Sequence, residues 1–338
     1  MICSHARLGW LAFLFALSGY AASTFTNPLL SDGPDPWVIY DNGFYYYTNT
    51  TGDNITLWKT RDITDLRDAE KKVIWTPPPG EPYSKQIWAP ELHKVDGKWY
   101  MYFTADAGDN KTHRLWVLED QSPDPFSDDW IFKGPVQGMS NYWAIDPTEF
   151  DEHGKQYIVW SGWPAQSPDI QNLYIARLKT PWEVEGKRVL ISTPEYDWER
   201  FGNVNEGPEI LKHDSKIFLI YSASGCWTDH YALGMLVASA KSNLLKSRSW
   251  KKVKHPVFSS SAEAHAYGTG HNTFFKSPDG KQDWILYHAN PEPNEGCGNY
   301  RSPRAQPFTW SAKGTPEFGT PAPLQQPLPK PSGTPDPQ

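Results

Sequence analysis

Four side chains in this sequence stand where chemistry could be done: Asp35, Asp146, Glu206 and His271. Each precedes a short turn by a nearly constant distance. Asp35 lies eight residues before Gly43, and Asp146 eight before Gly154. Glu206 lies nine before Ser215, and His271 nine before Gly280. Two carboxylates set across a pocket can split a glycosidic bond: one protonates the leaving oxygen while the other activates water or attacks the sugar. The proton donor must keep its proton near the working pH, so its pKa has to be raised. A third carboxylate nearby does that by like-charge repulsion. Taken singly these residues say less. Asp35-Pro36 is also a turn sequence, and His271 could equally be a satisfied core histidine.

The elements that must position them are written five times. Asn42-Gly43, Asp96-Gly97, His153-Gly154, Asp214-Ser215 and Asp279-Gly280 are turn pairs, and each is followed by an aromatic or β-branched run. Asn-Gly and Asp-Gly supply the positive φ of a two-residue hairpin, and Tyr, Trp, Ile and Val suit half-buried strands. Five units of about 55–65 residues, each made of short strands, predict an all-β fold, a five-bladed β-propeller. The alternative reading is a set of unrelated hairpins in an all-β domain. In a propeller the first strand of each unit lines the central channel, so equivalent positions converge at one mouth. In the second unit the matching place holds Trp88-Ala89-Pro90-Glu91. Loops after the second strands return to the same mouth; they include Thr50–Asp53, Ala105–Ala107, Ser161–Trp163, Ser224–Trp227 and His288–Asn290. Their small, polar and aromatic residues suit a sugar pocket.

The remaining chain sets the context. Residues 1–22 carry His5 and Arg7, an apolar run from Leu8 to Leu17 and a small-x-small site near Ala21, the pattern of a secretory signal. Asn49, Asn54 and Asn110 begin N-glycosylation triplets. Cys226 and Cys297 both follow the second strand of their units, so they form either a disulfide, which an oxidising compartment permits, or two separate buried thiols. A net charge of −7 and the lack of phosphate-binding glycine motifs argue against nucleic acid as a partner. No apolar stretch in 23–338 is long enough to span a bilayer, so no membrane partner is expected. Residues 23–314 form one propeller domain, and 315–338, rich in proline, read as an irregular closing segment and a disordered tail. Arg304 reads as a surface ion-pair partner and is left out of the site.

The motifs Ser31-Asp32-Gly33-Pro34-Asp35-Pro36, Ile87-Trp88-Ala89-Pro90-Glu91, Ala144-Ile145-Asp146 and Asn205-Glu206-Gly207-Pro208 resemble those of glycoside hydrolase family 43. Gly268–Asn272 and Arg304-Ala305-Gln306 add to the likeness, which spans nearly all of 23–338 in order. The resemblance implies a five-bladed propeller of inverting enzymes acting on arabinose- and xylose-containing glycans. It implies Asp35 as general base, Glu206 as general acid, and Asp146 as the group that raises and orients Glu206. Trp88 would line the terminal-sugar subsite, unless it is only packing. His271 would sit near the channel axis and touch substrate; no cofactor is required, though some relatives hold a structural calcium there. Pro147 stands where relatives often carry a small residue. Likeness to the fungal-type arabinofuranosidase branch implies a secreted enzyme that releases arabinose from plant cell-wall arabinan or arabinoxylan oligosaccharides. A β-xylosidase, an endo-arabinanase and a propeller lectin that binds sugar without cutting it are the rival readings.

Overall fold

The first strands of the five units touch one another in a closed ring, each meeting the next and the fifth meeting the first. The computed structural model describes residues 23–139, 141–165 and 170–335; the segment read as a secretory signal lies outside them. Every unit is a four-stranded antiparallel sheet in simple sequence order. Blade one comprises Trp37–Asp41, Phe44–Thr48, Ile55–Thr60 and Glu70–Trp75. The inner strands of the next four blades are Lys85–Val95, Ala144–Glu152, Asn205–His213 and Tyr267–Lys276. Their second strands are Lys98–Asp106, Lys155–Gly162, Lys216–Ala223 and Asp283–Asn290. The fold is the five-bladed β-propeller that the repeat predicts.

The hairpins of blades one to three close as their turn pairs require, blade four closes with only Asp214 of its pair left-handed, and blade five is joined by a six-residue loop, 277–282, between Lys276 and Asp283. Asn42, Asp96, His153 and Asp214 have φ between 49° and 53°, and Gly43, Gly97 and Gly154 follow them at 84°, 79° and 71°. The core is divided among the five seams between blades. Leu57, Trp99 and Phe103 fill the first, Tyr102, Ile158 and Trp160 the second, Ile175, Leu219 and Tyr221 the third. Ile220, Ile285 and Tyr287 fill the fourth. In the last seam Tyr45, Tyr47 and Trp58 of blade one pack on Phe275, Trp284 and Leu286 of blade five. The abundance of Trp and Tyr is thus spent mainly on flat rings between twisted sheets, where large apolar area is buried with little loss of side-chain freedom.

The C-terminal stretch closes the molecule with more regular pairing than its composition suggests. Pro316–Glu317 completes blade five as its fourth strand, and Leu328–Pro329 pairs with Thr24–Phe25. Lys330 N donates to the Ser23 carbonyl, and Lys330 Nζ reaches Asp62 at 2.6 Å. Residues 315–335 are therefore a closing segment that acts as a strap, tying Ser23–Phe25 down across the blade-five/blade-one seam. Proline hides this in the sequence, because two-residue strands carry no periodicity. Cys226 and Cys297 form a disulfide, with Cα atoms 5.3 Å apart.

Candidate active site

Local backbone geometry explains how the acids reach the channel. At the mouth end, the inner strands of blades two to five break register with their partners around Ala89-Pro90, Asp146-Pro147, Gly207-Pro208 and His271-Asn272. These are bulges, which re-aim a side chain and end local pairing. The first residue of each is left-handed: Ala89 at 43°, Asp146 at 53°, Gly207 at 50° and His271 at 44°, with Asp35 at 55° just ahead of blade one. Such φ values are costly for residues other than glycine and collect at functional sites. The preceding blade stabilises them. Asp146 N donates to Thr104 Oγ1 at 3.2 Å, Ala89 N to Thr50 Oγ1 at 2.7 Å, His271 N to Ser222 Oγ at 2.8 Å and Asp35 N to His288 Nδ1 at 3.0 Å.

This geometry corrects one expectation. Asp35, Asp146 and His271 share one structural position with Ala89 and Gly207. Glu206 does not: it pairs with Ser222, as Trp88 pairs with Thr104, Ile145 with Ser161 and Gly270 with His288. For Glu206 the one-residue difference in spacing to the turn is a real displacement along the strand, whereas for His271 it goes with the longer hairpin loop of blade five. The displacement places the third carboxylate beside the bulge rather than on it.

The site is a cavity of about 320 Å³ whose walls include Asp35, Trp88, Asp146, Glu206, His271 and Arg301. All five residues expected from the sequence line it. A larger cavity, about 630 Å³, opens at the hairpin end of the channel but holds none of the three carboxylates. Trp88 lies flat on His113, with ring centroids 4.2 Å apart, and Trp143 stacks on Trp163 at 4.8 Å. Both pairs give the pocket rigid apolar walls.

Each acid has its own surroundings. Asp35 Oδ1 receives Arg301 Nη1 at 2.9 Å and faces His271 Nδ1 at 3.3 Å, while Oδ2 accepts the Thr50 hydroxyl at 2.7 Å. Burial works to raise this carboxyl, but Arg301, His271, His288 and Thr50 outweigh it and hold it well below the usual carboxylate range. Glu206 Oε1 accepts the Tyr231 hydroxyl at 2.9 Å. Burial first, and then the charge of Asp35, push Glu206 up to about 7 against the opposing effects of Tyr231 and Arg301. Asp146 is also pushed up to about 7, by burial and by the charges of Glu206 and Asp35, against His271 and Gly207. Its Oδ2 accepts Gly207 N at 3.0 Å, so it grips the backbone next to Glu206. Asp146 therefore meets Glu206 in two ways, by like-charge repulsion and, through its grip on Gly207, along the chain.

Sequence reasoning missed Arg301, His288, Thr50 and Tyr231 as partners of the acids. Thr50 and His288 lie in stretches the sequence assigns to this mouth, which is the available signal, and His288 stands on the second strand of blade five. Arg301 and Tyr231 lie in irregular segments with none. Arg304 is not a surface group: it is fully buried, and its Nη1 donates to the His265 carbonyl at 2.7 Å. Calcium takes six to eight oxygen ligands. Among the described residues no group of three or more His, Cys, Asp or Glu is gathered to hold a metal ion, and His271 turns Nδ1 to Asp35.

The sequence profile for glycosyl hydrolases family 43 matches residues 25–316. The chain belongs to that family. Among its family 43 relatives, an extracellular exo-α-(1→5)-L-arabinofuranosidase of Streptomyces avermitilis is 38% identical over 308 residues, covering 88% of this chain and 64% of that protein. The enzyme of the same description from Streptomyces chartreusis is 40% identical, over 78% of this chain and 82% of its own. α-L-Arabinofuranosidase 43 of Humicola insolens is 37% identical, over 89% and 64%. The chain therefore spans just under two thirds of the length of the Streptomyces avermitilis and Humicola relatives. The crystal structure of an α-L-arabinofuranosidase from Lactobacillus brevis superimposes with a TM-score of 0.85 at 36% identity, covering 89% of this chain and 98% of that one.

Proposed function

We propose that this family 43 glycoside hydrolase is an extracellular, exo-acting, inverting α-L-arabinofuranosidase that trims arabinose from arabinan or arabinoxylan oligosaccharides. The observation that carries the reading is the opposed protonation of two carboxyls facing one pocket: Asp35 held ionised, Glu206 raised to about 7. The names of relatives at 37–40% identity supply the sugar and the extracellular setting. Asp35 takes a proton from water as the water oxygen bonds to the anomeric carbon. Glu206 gives its proton to the glycosidic oxygen as that bond to carbon breaks. Tyr231 occupies Oε1, which leaves Oε2 to present the proton. Asp146 positions Glu206 through Gly207, and Trp88 backs the terminal sugar.

Of the glycosylation triplets, Asn110 is exposed at the pocket rim. Asn49 is buried and its Nδ2 donates to the Thr50 carbonyl, so a glycan there would require the fold to open.

Sugar release from linear α-1,5-arabino-oligosaccharides, run beside xylo-oligosaccharides, tests the function. Arabinose alone in the first minutes is expected. Short arabinan oligomers would instead mean an endo-acting groove, and xylose alone a β-xylosidase. Glu206→Gln should bind the oligosaccharide and release nothing. A wild type that binds but never cleaves would make the protein a lectin, and retained anomeric configuration would end the inverting assignment.

A further inference from the structure

Among the described residues three large aromatic side chains are strongly exposed: Phe201 at 45%, Trp227 at 57% and Tyr300 at 61%. All three lie on irregular segments near the channel mouth that holds the carboxylates. Trp227 is special among them because it also lines the cavity of Asp35 and Glu206. An exposed indole on a surface loop would ordinarily collapse onto any apolar neighbour. This one is fastened. Its neighbour Cys226 is bonded to Cys297 of the blade-five loop. Gly225 N donates to the Phe201 carbonyl at 2.6 Å, and Asn294 N donates to the Asp229 carboxylate at 3.0 and 3.1 Å. The six-membered ring rests against two glycines. A Cβ on Gly202 would come within 2.7 Å of ring atoms, and one on Gly225 within 2.3 Å. No other side chain could stand at either place without moving the ring.

We propose that Trp227 is the stacking platform for the sugar on the leaving-group side of the scissile bond, and so sets the preference for an oligosaccharide over a simple glycoside. The inference rests on the arabinofuranosidase reading and deepens it. The terminal arabinose must lie between Asp35 and Glu206, against Trp88 of blade two. The glycosidic oxygen receives the proton of Glu206, so the leaving sugar lies beyond Glu206, on blade four. Trp227 follows the second strand of that blade. A ring fixed in advance binds a sugar face without paying to order the loop. The geometry also continues outward: Phe201, stacked on His230 at 3.7 Å, is joined to the same loop through Gly225.

The test compares two substrates, α-1,5-arabinobiose and α-L-arabinofuranosyl fluoride, which has no sugar on the leaving side. In Trp227→Ala, kcat/KM for the disaccharide should fall at least tenfold more than for the fluoride, mainly through KM. Trp227→Phe, which keeps an aromatic face, should recover most of the difference. Equal losses on both substrates would mean general damage to the pocket and would overturn the platform, as would no loss on either. Activity of the wild type on the fluoride but not on the disaccharide would also overturn it. Wild-type inactivity on both would overturn the arabinofuranosidase reading itself, and the platform with it.

Discussion

Asp35 and Glu206 carry the same functional group in equally buried surroundings, and their partners set them apart. Arg301 and two histidines surround one; a single phenol touches the other. With Glu206 raised to about 7, kcat/KM should fall above pH 7 as the acid loses its proton. The Tyr231 hydroxyl donates to the carboxylate and so favours its charged form. Tyr231→Phe removes that preference, and the alkaline limb should move to higher pH, by up to about one unit. A pH–rate profile of the two proteins checks this; a limb that moves down, or not at all, contradicts the assignment of Glu206 as acid. The acids themselves were legible because each stands at a fixed distance from a turn. Their partners were not, because Arg301 is 266 residues from Asp35 and follows a loop without period. Tyr231 looked like one more aromatic among many.

At the scale of the strand, the bulges matter more than the residues they display. A pattern of alternation predicts strands but not the place where a strand stops pairing, and only the Asp-Pro, Ala-Pro and Gly-Pro steps hint at it. The bulges also explain why Glu206 stands one residue off the register of Asp146. What holds each bulge is a side-chain acceptor from the blade before it, on the second strand for Asp146 and His271, in the loop after it for Ala89, and on the inner strand for Gly207. Thr104→Val keeps the shape of the side chain and leaves Asp146 N buried without a partner, which costs about 1–3 kcal/mol. Urea unfolding should show that loss, with Thr104→Ser close to the wild type. A Val variant as stable as the wild type would mean that the backbone N–H finds another acceptor.

Across the whole molecule, five seams and a channel set the response to pH. Deep in the channel Glu149, which faces the larger cavity, is pushed up to about 8 by burial and the charge of Asp151 against Lys212. Burial raises Glu91 and Glu209 as well. A carboxyl whose folded pKa is raised holds its proton where the unfolded chain has lost it. Stability should therefore fall as pH rises from the ordinary carboxylate range towards 8. Tm measured from pH 5 to 8 should decline, and Glu149→Gln should flatten the slope; an unchanged slope would show that Glu149 is not responsible. The repeat made the propeller legible, but the strap of 315–335 was hidden because its strands are two residues long. One consequence concerns time. Asp35 belongs to the first blade made, and the residues that hold it, His288 and Arg301, belong to the last. Under the proposed assignment the base is made first and its partners last, so a ribosome-bound or truncated chain of four blades is expected to be silent.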